Sequence, residues 1–307
     1  MTEELITVAV QNFEQIVEKA RQAGRCSRVV IAGADAENIL LGAFHAAAEG
    51  FAHPVLVGEE SKIRPLLERL DLAGRDYELV GTKAGDNPTQ RAIDLINQGK
   101  GDLLMRGSTQ TREFLLPLLD KKNGLRTDRL ITHIDLVSMP EYPKLIAIGD
   151  VTVTVRPTLA QKKEIIRNMT DTLRYVEDER PNIALLALVE QPSFHMNDTI
   201  EARDLVKEHE RRPIADCTLS GPIAYDLILS KEAARLKGYD NPLCGDFDGI
   251  VAPSLLAGNL IVKCWQMHAH ARTCGTIVGA KIPVAITSRS DSADVAYLSL
   301  ALSSVLG

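Results

Sequence analysis

The sequence predicts a two-domain α/β protein built on mostly parallel sheets. Three observations carry this. Short apolar runs alternate with amphipathic segments across residues 28–119, with brief connections, as in a parallel sheet with crossover helices. The chain has 307 residues, enough for about two domains. A polar stretch at 121–129, KKNGLRTDR, then breaks the alternation and marks a crossing into a second domain.

The elements follow in order. Residues 5–23 read as an amphipathic helix ended by Gly24. Residues 28–32, RVVIA, are a buried strand, and the Ala- and Leu-rich stretch 37–49 is a helix. Strands at 54–57, 77–80 and 102–105 alternate with helices at 61–70, 89–98 and 113–119. Beyond the break come strand-like runs at 130–139 and 144–148, with Pro140 and Pro143 spaced for a turn joining adjacent strands. Then follow a long helix at 159–176, a buried strand at 182–189, a charged helix at 200–210 and a short strand at 215–219. Residues 220–237 read as a turn and a helix, 248–252 as a strand, 254–271 as a helix and 275–279 as a strand. The chain closes with a short buried strand at 282–286, opened by Pro283, and a helix at 293–304.

Between those last two lies the stretch 287–292, TSRSDS, a polar burst where a strand ends and a helix begins. In an open α/β sheet that is the ligand side, and a helix start offers N–H groups and a positive dipole end. Arg289 adds a planar cation suited to phosphate. Thr287, Ser288 and Arg289 are able to hold an anion, and Asp291 to handle a proton. The same residues also serve a plain helix start, with Ser290 or Asp291 as N-cap and Arg289 solvated. A second burst, 106–112 (RGSTQTR), follows the strand 102–105 with the same logic: Ser108, Thr109 and Thr111 supply hydroxyls, Arg106 and Arg112 charge. Two such turns on one sheet can bind one anion from two sides, although Ser and Thr are also common caps.

Composition narrows the function. The net charge of −6 without a basic block argues against a nucleic-acid surface, and 4% aromatics leave few stacking platforms. The acidic N-terminus is no signal peptide, and no apolar run reaches membrane-spanning length. Five scattered cysteines without a CxxC read as reduced thiols in a cytoplasmic protein. His268 and His270 fall in a predicted helix at i, i+2, which do not share a face, so no metal site is expected. Asp246 and Asp248 suit metal ligands or a substrate clamp, but read first as a polar turn before a strand. Signatures of dinucleotide binding, the P-loop and the nucleophile elbow are missing.

Four segments resemble the phosphate acetyltransferase/phosphate butyryltransferase family in family order: LMRGSTQTREFLLPLLDKKNGLRT (104–127), SGPIAYDLILSKEAA (220–234), GDFDGIVAPSLLAGNLIVK (245–263) and GAKIPVAITSRSDSADVAYLSLAL (279–302). The first is nearest the butyryl-type branch. The resemblance implies two α/β/α domains with an interdomain cleft, similar to the isocitrate/isopropylmalate dehydrogenases. The first domain would combine residues 1–128 with 277–307, and the second would be 129–276. It implies the reversible reaction acyl-CoA + phosphate = acyl phosphate + CoA on a short acyl group, butyryl or acetyl, with CoA as substrate and no permanently bound cofactor; no metal is expected, and a homodimer or higher homo-oligomer is the default expectation for such an enzyme.

On this reading Ser108, Thr109, Thr111, Arg112 and Thr287 bind the phosphoryl group. Ser288 and Arg289 are catalytic beside it, and Gly258, Asn259, Gly279 and Lys281 face CoA and the cleft. A carboxylate must take the CoA thiol proton, since an ordinary thiol titrates near pH 8.5 (roughly). The acetyl-type branch has that Asp six residues after the Arg, where this chain has Val295. Asp291, one turn earlier on the same helix face, is expected to replace it, with Asp294 second. Leu116 stands where that branch has Arg, with Arg112 or Arg106 as substitutes, and Ser220-Gly221-Pro222 stands for its Asp-Gly-Pro. Competing readings are an acyltransferase using acyl carrier protein, a decarboxylating dehydrogenase of the same fold, and a non-catalytic CoA or acyl-phosphate binder.

Overall fold

The computed structural model describes residues 12–176 and 180–307. The expected helix 5–23 therefore lies partly outside the described residues. The chain divides into two compact units, Phe13–Ile131 with Thr273–Gly307 (the terminal unit) and Thr132–Arg272 (the middle unit).

The terminal unit opens with α1 (Phe13–Gln22), β1 (Ser27–Ala32), α2 (Glu37–Ala48), β2 (Ala52–Gly58), α3 (Glu60–Arg69), β3 (Glu78–Gly81), α4 (Pro88–Asn97), β4 (Leu103–Arg106) and α5 (Thr111–Leu118). The middle unit holds β5 (Thr132–Ser138), β6 (Ile146–Gly149), α6 (Leu159–Val176), β7 (Asn182–Leu186), α7 (Asn197–Arg211), β8 (Thr218–Ile223), α8 (Tyr225–Leu229), α9 (Lys231–Lys237), β9 (Gly249–Val251) and α10 (Leu255–His268). β10 (Arg272–Val278), β11 (Val284–Ala285) and α11 (Ala293–Val305) complete the terminal unit.

In the terminal unit the strand order is β3-β2-β1-β4-β11-β10, parallel except for the β10–β11 pair. The chain steps outward from β1 to β3, then crosses back to place β4 on the other side of β1. Right-handed crossovers running in opposite directions put α2 and α4 on opposite faces, giving three layers. β1 is buried from Val29 to Ala32, which explains its unbroken apolar run. α11 packs on α1 and α2. A Cβ at Gly42 would lie 2.7 Å from Ala296 Cβ, so only glycine permits α2 and α11 to approach this closely. The middle sheet has the order β5-β6-β9-β7-β8, with β5 and β6 antiparallel and the remaining pairs parallel.

The structure moves several expected boundaries. The strand expected at 215–219 begins at Thr218 and runs to Ile223. The chain at and just before its expected start bonds to α7 instead: Ile214 N donates to His209 Nδ1 at 3.1 Å, and Cys217 O lies 3.1 Å from His209 Nε2. Ser220-Gly221-Pro222 is thus strand, not turn, and Pro222 is tolerated because β8 is an edge strand. The helix expected within 220–237 splits at Ser230, whose backbone is extended and whose side chain caps Ala233 N. β7 stops at Leu186, and β11 is only two residues long. His270 lies beyond α10 with φ +49°, so the two histidines of HxH do not share a helix.

Candidate active site

β1, β4 and β11 are parallel neighbours, so their C-terminal ends share one edge of the sheet. Strand order reverses between β1 and β4, which is where open α/β sheets bind ligands. Three turns converge there around a pocket of ≈ 130 Å³. The turn after β11 brings Thr287, Ser288 and Arg289 to it, the turn after β4 brings Gly107 and Ser108, and the start of α2 brings Ala36 and Asn38.

Each turn is held in place by identifiable bonds. Arg106, at the end of β4, is buried. Its Nε donates to Thr109 O at 2.9 Å and one terminal nitrogen donates to Thr287 O, 181 residues further along the chain, at 3.1 Å, so one guanidinium ties the two turns together. Burial and the nearby Arg289 pull its pKa below the usual guanidinium value, while Asp291 opposes the shift. Ser288 N donates to Asp291 Oδ2 at 2.7 Å, and Asn38 Nδ2 donates to Asp291 O at 2.7 Å, which fastens α2 to the 287–292 turn. Ser108 Oγ donates to the Asp35 carboxylate. A Cβ at Gly107 would lie 1.9 Å from Gly33 O, so the two turns touch through backbone.

The electrostatics favour an anion. Ala36 is the N-cap of α2 and has no side-chain oxygen, so the first-turn N–H groups are not capped from that position. The dipole of α2 and the exposed Arg289 both contribute positive potential at the pocket.

The expected site residues separate into groups. Thr287, Ser288, Arg289 and Ser108 line the pocket. Thr109 is buried and does not line it, and among the described residues its Oγ1 makes no hydrogen bond. Thr111 and Arg112 are exposed at the start of α5 and do not line it. Asp291 is not on a helix face as expected: it precedes the N-cap, which is Ser292 rather than Ser290 or Asp291. Asp294 is exposed in the first turn of α11, outside the pocket lining. Ser108 is not an available donor as expected, because its single hydroxyl proton already goes to Asp35.

Gly279 and Lys281 fasten a loop. Gly279 O accepts from Thr127 Oγ1 at 2.7 Å, Lys281 N donates to Leu125 O at 2.8 Å, and Lys281 Nζ donates to Gly124 O at 3.2 Å. Gly258 and Asn259 belong to α10 of the middle unit. There Gly258 lets the helix close on Val151 and Ala252, and Asn259 Nδ2 donates to Val151 O at 3.3 Å.

Sequence reasoning missed Asp35, Asn38 and the bridging role of Arg106. The stretch Gly33-Ala34-Asp35 after a buried strand was the available signal for a third turn. Among the described residues no group of three or more His, Cys, Asp or Glu is placed to hold a metal ion, and no helix is long and apolar enough to cross a membrane.

Known proteins resemble the chain over nearly its whole length. The chain is 34% identical over 295 residues to the phosphate acetyltransferase of Rhizobium meliloti, covering 95% of this chain and 92% of that protein. It is 29% identical to the phosphate butyryltransferase of Clostridium acetobutylicum, covering 97% and 98%. The crystal structure of a branched-chain phosphotransacylase from Enterococcus faecalis V583 superposes with a TM-score of 0.78 at 28% identity, covering 91% of this chain and 99% of that one. The family model described as Phosphate acetyl/butaryl transferase matches residues 64–303, more than three-quarters of the sequence, and the chain belongs to that family.

Proposed function

We propose that this chain transfers a short acyl group, butyryl or acetyl, between CoA and phosphate: acyl-CoA + phosphate ⇌ acyl phosphate + CoA. The observation that carries the reading is the three-turn pocket, which pairs an uncapped helix start with Thr287, Ser288 and Arg289 in a chain of this family. Arg289, the Ser288 and Thr287 hydroxyls and the α2 N-terminus grip the phosphoryl oxygens. CoA attacks directly in a ternary complex, without an acyl-enzyme, so orienting two bound substrates supplies much of the rate. Positive groups that hold phosphate also stabilise the oxyanion of the tetrahedral intermediate. CoA is substrate rather than resident cofactor.

Incubation with phosphate and acyl-CoAs from acetyl to hexanoyl, with free CoA followed by a thiol reagent, tests this. Phosphate-dependent release is expected, with one chain length preferred. No release with any acyl-CoA overturns the reading. Turnover only of a carrier-protein thioester, or binding without turnover, replaces it with one of the competing readings.

We also infer a cytoplasmic homodimer. All five cysteines are free thiols, which supports a reducing compartment. On α10, Leu256, Leu260 and Met267 share one face by helical spacing and are 74%, 57% and 73% exposed. A two-fold pair of copies runs these helices antiparallel and lays the stripe on itself. Light scattering should give a dimer for the wild type and a monomer for Leu260→Asp; a wild-type monomer at micromolar concentration overturns the assignment.

A further inference from the structure

We propose that Ser108 and Asp35 form the proton relay of the acyl transfer, with Asp35 accepting through Ser108 the proton that leaves the CoA thiol. This rests on the acyltransferase reading of the same pocket. A serine hydroxyl carries one proton and two lone pairs. In this structure the proton is donated to Asp35, so toward the pocket Ser108 offers only acceptor capacity. An ordinary phosphate-binding hydroxyl would need the opposite polarity. A group that accepts on one side and donates to a carboxylate on the other suits an S–H rather than a phosphoryl oxygen.

The contrast with Ser288 sharpens the assignment. Ser288 Oγ lies 3.1 Å from Ser290 Oγ and, among the described residues, is not bonded to a carboxylate, so it is suited to donate to an anion. The nearby Asp291 directs Oδ2 to Ser288 N and shapes the turn. Backbone contact between Gly107 and Gly33 fixes the distance between the two members of the relay. The charged groups near it are Lys62 on α3, itself paired with Glu59 at 2.8 Å, and Arg289, which shares the pocket with Ser108; Asp291 sits behind Ser288 on the 287–292 turn.

The step balances. The thiol proton moves to Ser108 Oγ as the Ser108 proton moves to the Asp35 carboxylate. The sulfur electron pair forms the C–S bond at the acyl carbon. The tetrahedral oxyanion collapses, the carbon–oxygen bond to phosphate breaks, and its electron pair leaves with phosphate. The proton then returns from Asp35 through Ser108 to a phosphate oxygen, giving hydrogen phosphate. The reverse reaction runs through the same relay. Asp35 acts through Ser108 and is a positioning residue in that sense.

Asp35→Asn is the decisive variant. Its amide oxygen still accepts from Ser108, so the fold and the turn persist, but it cannot take a proton. Expected is a fall in kcat of about 10²–10³-fold, with KM for phosphate unchanged within about twofold and an unaltered melting temperature. With acyl phosphate and CoA as substrates, the direction in which a thiol is deprotonated, the pH profile should change shape: the variant rate should rise about tenfold per pH unit toward the pKa of the free thiol, near 8.5. Ser108→Ala should show a similar loss, and the double variant should be no worse than either alone, because the pair acts as one unit. If Asp35→Asn keeps the wild-type kcat and pH profile, or loses only phosphate affinity, the relay is overturned. The relay is equally overturned if Asp291→Asn alone removes the pH-dependent limb. A wild type inactive on every acyl-CoA overturns the functional reading and the relay with it.

Discussion

In the middle unit, Asp150 follows β6 and is 2% exposed. Its Oδ1 accepts from the backbone N–H of His133, Thr152 and Val153 at 3.0–3.3 Å, and its Oδ2 accepts from Thr154 N at 2.8 Å. His133 in turn places Nδ1 2.6 Å from Thr152 Oγ1 and Nε2 3.1 Å from Asp135 Oδ1. In the terminal unit, hydroxyls, an arginine and a carboxylate also gather where strands end, but there Thr287, Ser288 and Arg289 border an open pocket. The residue types are similar and the arrangement differs. In the first cluster the Asp150 carboxylate is used up on four backbone N–H groups and holds a loop, although His133 Nε2 lies close to Asp135 without a hydrogen bond among the described residues; in the second the polar groups are braced from behind and face space. A polar cluster at a strand end thus points to chemistry only where its bonding leaves capacity directed outward.

Substitutions should separate the two clusters. Arg289→Ala should lower kcat/KM by about 10³-fold, the scale of a lost oxyanion or phosphoryl donor. Arg289 is exposed, so urea unfolding should be unchanged. Asp150→Ala should do the reverse. It strands buried N–H groups that a charged acceptor now satisfies, which costs about 3 kcal/mol of stability. Activity per folded molecule should stay near wild type. Equal effects of both variants on stability and rate would erase the distinction.

Arg106 lies between the two cases. It belongs to the pocket's support, yet it is bonded and buried like Asp150. Arg106→Met keeps the stem and removes the guanidinium that bridges Thr109 O and Thr287 O. A loss of about 2 kcal/mol in unfolding free energy is expected, together with a higher KM for phosphate because the two turns are no longer locked together. Normal phosphate saturation in this variant would show that β4 and β11 alone hold the turns.

The same contrast explains what the sequence disclosed. Helix and strand order follow from periodicity, and both polar bursts were legible because Ser, Thr and Arg at a strand end break an apolar pattern. The turn at Gly33–Asp35 was not, since Gly-Ala-Asp-Ala reads as an ordinary connection and the partner of Asp35 is 73 residues away. The start expected for β8 was displaced by side-chain bonds from His209 to Ile214 and Cys217, which a reading of strand propensity does not register. The N-cap fell on Ser292 because Asp291 had already turned back to Ser288, a choice among adjacent polar residues that local propensity cannot make.

The opposite ends of β1 and β4 give the smallest and cleanest comparison. At their N-terminal edge Arg28 and Asp102 form a closed fork: Arg28 Nε donates to Asp102 Oδ2 at 3.0 Å, a terminal nitrogen donates to Oδ1 at 2.9 Å, and Arg28 N donates to Oδ2 at 2.9 Å. These bonds, the Arg28 side chain first, hold the Asp102 carboxyl below the usual carboxylate range against the opposing effect of burial. A depressed carboxyl pKa stabilises the fold above its unfolded value of 3.8, and the contribution disappears as pH falls through the folded value. The pair is partly exposed and screened by solvent, so Asp102→Asn should cost only about 1 kcal/mol at pH 7. The gap from wild type should close below pH 3.8, and phosphate-dependent turnover at neutral pH should not change. At the other end of the same two strands Asp35 also accepts from a side chain on the β4 side, but from a hydroxyl that borders the pocket. Asp102→Asn should therefore move the acid limb of stability and leave the rate alone, whereas Asp35→Asn should move the rate and leave stability alone. Finding both effects in one variant would mean that the two edges of this strand pair are not independent.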